Sequence, residues 1–176
     1  RLGITIGQHV NAYTTYDETG YFLNLPSTQE ATLDLGYTVM RDYADGALLL
    51  ATEFDNESGV ILAEKNLRDY VSTRIWEQEL SFLLPDHLVS QRAPIGTEQV
   101  ITTAPRDRFV DFYTRYYAPA RITFIVSGDM EADAIEARIK ETFETMTNPD
   151  NPGTDPDLGT IPVGTGFRTA VFTNQE

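Results

Sequence analysis

The chain has 176 residues, 41% of them hydrophobic and 11% aromatic, enough to build one domain with a core. Twenty-seven acidic against thirteen basic side chains give a net charge of −14, which excludes a phosphate backbone as a natural partner. With no cysteine there is neither a disulfide nor a thiolate metal site, and no apolar run reaches the ~18 residues of a membrane span. No signal peptide is visible, and the chain opens in mid-pattern at Arg1-Leu2-Gly3, as a piece of something longer does.

In chain order, alternation predicts strands over Val10 to Thr14 and Gly20 to Leu25, with Asp17-Glu18 as the turn between them. Ser27-Thr28-Gln29-Glu30 reads as a capping box opening a helix with Leu35, Val39 and Tyr43 on one face and Gly46 at its end. A long helix is expected from about Glu53 to Leu80, with Val60, Leu67, Ile75 and Trp76 on its apolar side. Gly59, a poor helix former, suggests close packing at its turn.

Leu83 to Gly96, broken by Pro85 and Pro94, reads as short helical or irregular structure. The next helix runs from Thr103 or Ala104 to Tyr117, with Pro105 in its first turn and a Phe109, Phe112, Tyr113, Tyr116 stripe. Arg121 to Ser127 alternates as a strand, and Glu131 to Met146 carries Ile135, Ile139 and Phe143 at helical spacing. Asn148 to Gly166 is a Pro/Gly/Asp-rich linker or loop, and Phe167 to Thr173 reads as a last strand. The expected fold class is α+β, a mainly antiparallel sheet with helices packed on one face. Residues 1–147 are expected to form one partial α/β domain, 148–166 a linker or loop, and 167–176 a strand continuing the domain or leading to the next.

Few residues carry chemistry. His9 and His87 are the only histidines, and neither has a metal-type neighbour one helical turn away. No G-x-S-x-G and no Gly-rich phosphate loop occurs, which argues against a serine hydrolase and a nucleotide enzyme. Glu57 and Glu64 stand out, because seven residues is almost two helical turns and both carboxylates leave one face. Taken alone, such a pair is usually a solvated helix face.

The ordered set is more specific: Asn11-Ala12-Tyr13-Thr14, Asp17-Glu18-Thr19, Tyr21, Glu57-x6-Glu64, Pro94-Ile95-Gly96-Thr97-Glu98, Tyr116-Tyr117-Ala118-Pro119 and Val126-Ser127-Gly128-Asp129. In this order and spacing the chain resembles the insulinase/pitrilysin family of zinc peptidases over nearly its whole length up to the final linker. The resemblance implies a zinc metalloendopeptidase whose H-x-x-E-H helix supplies two histidines and the water-activating glutamate. Glu64 matches the third zinc ligand, and Glu57 a second acid near the metal that orients a ligand and tunes local charge. Asn11, Ala12, Tyr13 and Thr14 match the edge strand on which a peptide substrate is laid.

The departure from the family pattern is that no H-x-x-E-H occurs in the chain, so it is expected before Arg1, or else lost or replaced, with the fragment alone inactive. Ala63 stands where many relatives carry a further acid. A second homologous domain or subunit is expected to close a chamber around the peptide, and the bacterial periplasm or secretion is the expected location. The alternatives left open are a non-catalytic structural or partner domain of the same family, and a peptide-binding module unrelated to peptidases.

Overall fold

A computed structural model describes residues 9–164 and 166–173. Its helices and one antiparallel hairpin give an α+β architecture, and the chain divides into two compact units. The first unit holds residues up to 14, 18–49 and 106–154; the second holds 15–17, 50–105 and the segment from 155 onward.

In the first unit β1 (Val10–Thr14) pairs antiparallel with β2 (Thr19–Leu23), with Val10 opposite Leu23, Ala12 opposite Tyr21 and Thr14 opposite Thr19. Helix α1 (Glu30–Arg41) runs on into a π turn, Asp42–Gly46. The capping box does not form: Gln29 is the N-cap, and the Ser27 hydroxyl instead meets the Thr32 hydroxyl at 3.0 Å. The buried face of α1 is also not the expected one. Thr32, Leu33, Gly36 and Tyr37 are buried, whereas Leu35 is exposed. Gly36 is the reason, since a Cβ there would lie 2.7 Å from a Leu25 methyl, so the strand exit seats against this side.

Helix α5 (Arg106–Tyr116) begins after Pro105, and α6 spans Ala132–Phe143. Here α1 and α6 are neighbours. Arg138 of α6 pairs with Glu30 and with Asp34 (2.7 Å) and lies over the Tyr37 ring. Arg41 donates to the Thr142 carbonyl and to Asp45. Residues 122–127 enter no strand ladder with described residues, in contrast to the expectation. Their burial nevertheless alternates: Ile122, Phe124 and Val126 are half-buried, and Phe124 packs on Tyr37 and Phe143. On α5 it is Tyr113 and Tyr116 that are half-buried, while Phe109 and Phe112 remain exposed.

The second unit replaces the expected single long helix with two, α2 (Ala51–Leu67) and α3 (Val71–Leu83). The chain leaves helical geometry at Arg68 and is extended at Tyr70, and Arg74 holds the break by binding the Asp69 carbonyl and carboxylate. Val60, Leu67, Ile75 and Trp76 are all exposed rather than packed. A Cβ at Gly59 would meet nothing within 4 Å, so the close packing expected there is absent.

A short helix not foreseen in the sequence, α4 (Glu98–Thr103), lies beside α2. Gly96 takes a left-handed φ of 81°, and Thr97 then caps α4 by accepting the Val100 N–H. His87 caps the Leu88–Ser90 turn through Nδ1 and bridges to Gly159. Residues 167–173 form no strand among the described residues; Phe172 packs edge-on against Phe82, and Arg168 lies over the Phe82 ring.

Candidate functional site

Glu57 and Glu64 lie on the middle and last turns of α2, and both are exposed. At 100° per residue their side chains leave the axis about 20° apart, with a rise of about 10 Å between them. The same arithmetic carries Arg68 onto that face, and its guanidinium binds Glu64 Oε1 at 2.5 Å. Arg68 is two-thirds exposed and Glu64 about half, so the pair is a surface ion pair that breaks at little cost.

A catalytic zinc takes three protein ligands and keeps one position open. Among the described residues no three His, Cys, Asp or Glu side chains converge. His87 is engaged as a helical cap. The described residues thus do not make a zinc site by themselves, and Glu57 and Glu64 stand together on one face of α2.

The other sequence-derived candidates sit on β1. The Asn24 N–H donates to the His9 carbonyl at 2.7 Å, which fixes His9 and Asn24 as a hydrogen-bonded pair of the ladder. Antiparallel alternation then turns the backbone groups of Asn11 and Tyr13 toward β2 and those of Val10, Ala12 and Thr14 away from it. Among the described residues no strand pairs with that outer edge, and residues 11–14 are exposed. The outward Ala12 N–H donates to the Asn11 side-chain oxygen at 2.9 Å.

The two faces of the hairpin differ. One carries Asn11 and Tyr13 with Phe22; the Tyr13 ring stacks on Phe22 with 5.4 Å between centroids, and its hydroxyl binds Glu18. Gly20 makes room for that ring, since a Cβ there would lie 2.2 Å from it. The other face carries Tyr21, which joins Tyr43, Tyr113 and Tyr117 in an aromatic cluster. Burial, the Tyr117 hydrogen bond and neighbouring tyrosines push the Tyr21 hydroxyl far above the usual tyrosine range. Sequence reading did not single out this cluster or Arg68, although the spacing of Arg68 four residues after Glu64 was visible.

A profile described as the Peptidase M16 inactive domain matches residues 103–172. The probable zinc protease PqqL of Escherichia coli is 33% identical over 145 residues, 82% of this chain and 16% of that protein. The chain belongs to the M16 (insulinase/pitrilysin) family of peptidases. A chloroplastic stromal processing peptidase of Pisum sativum is 26% identical across 92% of the chain and 13% of its own length. The crystal structure of the first half of the periplasmic protease PqqL from Escherichia coli superposes with a TM-score of 0.80 at 31% identity, covering 91% of this M16 chain and 33% of that one. A mutant of the ferredoxin protease FusC, in complex with Arabidopsis ferredoxin, gives 0.79 at 29% identity, covering 87% and 17%. The chain therefore spans about a sixth of the length of the PqqL relative it matches. The family-profile match lies beyond β1 and α2, outside the segments that carry Asn11 to Thr14, Glu57 and Glu64.

Proposed function

We propose that this chain is part of a zinc metalloendopeptidase, in which it supplies Glu64 as the third zinc ligand and β1 as the edge on which a peptide is paired. The observation that supports this best is Glu64 itself: an exposed carboxylate on one helix face with Glu57, held among the described residues by a surface ion pair. Such a carboxylate is free to exchange its partner for a metal at small cost. Glu57, on the same face, orients a ligand and adds negative charge beside a cation.

Zinc, when bound beside two histidines from an H-x-x-E-H helix of the full-length protein, supplies Lewis acidity and an activated water. The residues of this chain do the rest. Val10, Ala12 and Thr14 present outward backbone donors and acceptors, so an extended peptide is held through its main chain with little regard for its side chains. A second homologous domain or subunit closes over that peptide, and the periplasmic location of PqqL supports the same compartment for this protein.

The test is hydrolysis of an unstructured peptide by the full-length protein. Activity that a chelator abolishes and zinc restores is the expected result; activity indifferent to chelation sinks the reading. A second reading, a non-catalytic partner domain, draws on the inactive-domain description of the profile over residues 103–172. Retention of both Glu57 and Glu64 weighs against it.

A further inference from the structure

Tyr21 sits at the centre of β2, directly opposite Ala12, the middle residue of the open edge. From the inner face of the hairpin it reaches the π turn and Tyr117, the residue that follows α5. Its ring stacks on Tyr43 of the π turn, 4.9 Å between centroids, and meets Tyr117 edge-on. The Tyr21 and Tyr117 hydroxyls are 2.6 Å apart. Tyr117 packs against Tyr113 at 4.5 Å, and the Tyr113 hydroxyl donates to the Tyr43 carbonyl at 2.8 Å, which closes the ring of contacts.

An isolated two-stranded hairpin is marginally stable in water, so its geometry depends on what its inner face is tied to. Among the described residues these ties include Leu25 against Gly36, beyond the end of β2, and the tyrosine cluster under its centre. Ring stacking supplies burial but tolerates sliding. The hydroxyl pair is directional and fixes where Tyr21, and with it Ala12, stands relative to α5.

We propose that the Tyr21–Tyr117 hydroxyl pair is a latch that holds the β1 edge in the position from which it pairs with a peptide. Both tyrosines are positioning residues: neither touches the peptide, and both act through β1. The inference rests on the peptide-strand reading above. A tyrosine hydroxyl keeps its proton throughout the neutral range, and burial only extends that range upward for Tyr21, so the latch stays closed there.

The test uses Tyr21→Phe, Tyr117→Phe and the double variant in the full-length protein, which keep the rings and remove the hydroxyls. Each single change is expected to raise KM for an unstructured peptide about fivefold, the size of one hydrogen bond, with kcat within about twofold. The double variant is expected to be no worse than either single, since the same bond is lost. Hydrogen exchange of the 9–24 segment, read by mass spectrometry without substrate, is expected to quicken about fivefold in the singles and no further in the double. Unchanged exchange, or single effects that add in the double, overturns the latch. If wild-type protein neither cleaves nor binds peptides, the peptide reading fails, and the exchange result still decides the latch.

Discussion

The Asn11 side-chain oxygen accepts the Ala12 N–H at 2.9 Å, so the one outward donor at the centre of β1 is occupied by its own neighbour. An arriving strand must displace that contact to pair there. Because the Ala12 N–H points away from β2, a proline at this position removes a donor without breaking the hairpin ladder. Ala12→Pro is expected to leave the melting temperature within a few degrees and raise KM for an unstructured peptide about tenfold. Tyr13→Pro, whose N–H faces β2, is expected to destabilise the hairpin itself. Equal thermal losses in the two variants would contradict the register.

Arg68 and Glu64 form an exposed ion pair, worth about 1 kcal/mol at most. Arg68→Gln is therefore expected to change unfolding free energy by less than about 1 kcal/mol in urea titration. In the full-length protein it is expected to tighten zinc binding up to about fivefold in a chelator competition, because Glu64 no longer has to leave a partner. Weaker zinc binding would show instead that Arg68 helps to orient the carboxylate.

Two glycines of the second unit are expected to respond in opposite senses. Gly159 has a φ of 85°, and a Cβ there would lie 1.9 Å from the Asp86 carbonyl oxygen. Gly159→Ala is expected to cost about 2 kcal/mol or more and to loosen the His87 bridge. Gly59 lies inside α2 with open space around it, and Gly59→Ala is expected to stabilise by about 0.5–1 kcal/mol. Urea midpoints of the two variants check both.

Tyr21, Tyr37 and Tyr113 are all held above the ordinary tyrosine range, each by burial first. A group that keeps its proton longer when folded binds more protons in the native state once the unfolded tyrosine ionises. Stability is then fully present below about pH 10 and falls as pH rises beyond it. The expected observation is delayed phenolate absorbance that appears together with loss of structure, and a shallower alkaline loss in Tyr21→Phe. Smooth titration of every tyrosine in the folded protein would contradict it.

The hairpin, the aromatic helix α5 and α6 were legible in the sequence because alternation and helical spacing are local signals. The buried face of α1 was not. Leu35 and Val39 look apolar at the right spacing, but Gly36 admits Leu25 and turns the helix the other way, which is a tertiary choice. The break at Arg68 to Tyr70 was also hidden, since no Pro or Gly marks it; the Arg74–Asp69 contact that holds it is visible only once folded. Residues 122–127 kept the alternation of a strand but lack a strand neighbour among the described residues. For the candidate site, the shared face of Glu57 and Glu64 followed from spacing alone. Which β1 groups face outward did not, because that depends on the His9–Asn24 pair.

The role assigned to Glu64 is tested most directly by zinc stoichiometry. The full-length protein and its Glu64→Gln variant would be purified in parallel, and bound zinc measured per chain alongside peptide hydrolysis. The charge-neutral change is expected to lower zinc affinity by at least about tenfold and to abolish hydrolysis, with the melting profile of the metal-free protein unchanged. Full zinc occupancy and undiminished hydrolysis in the variant would contradict Glu64 as a metal ligand.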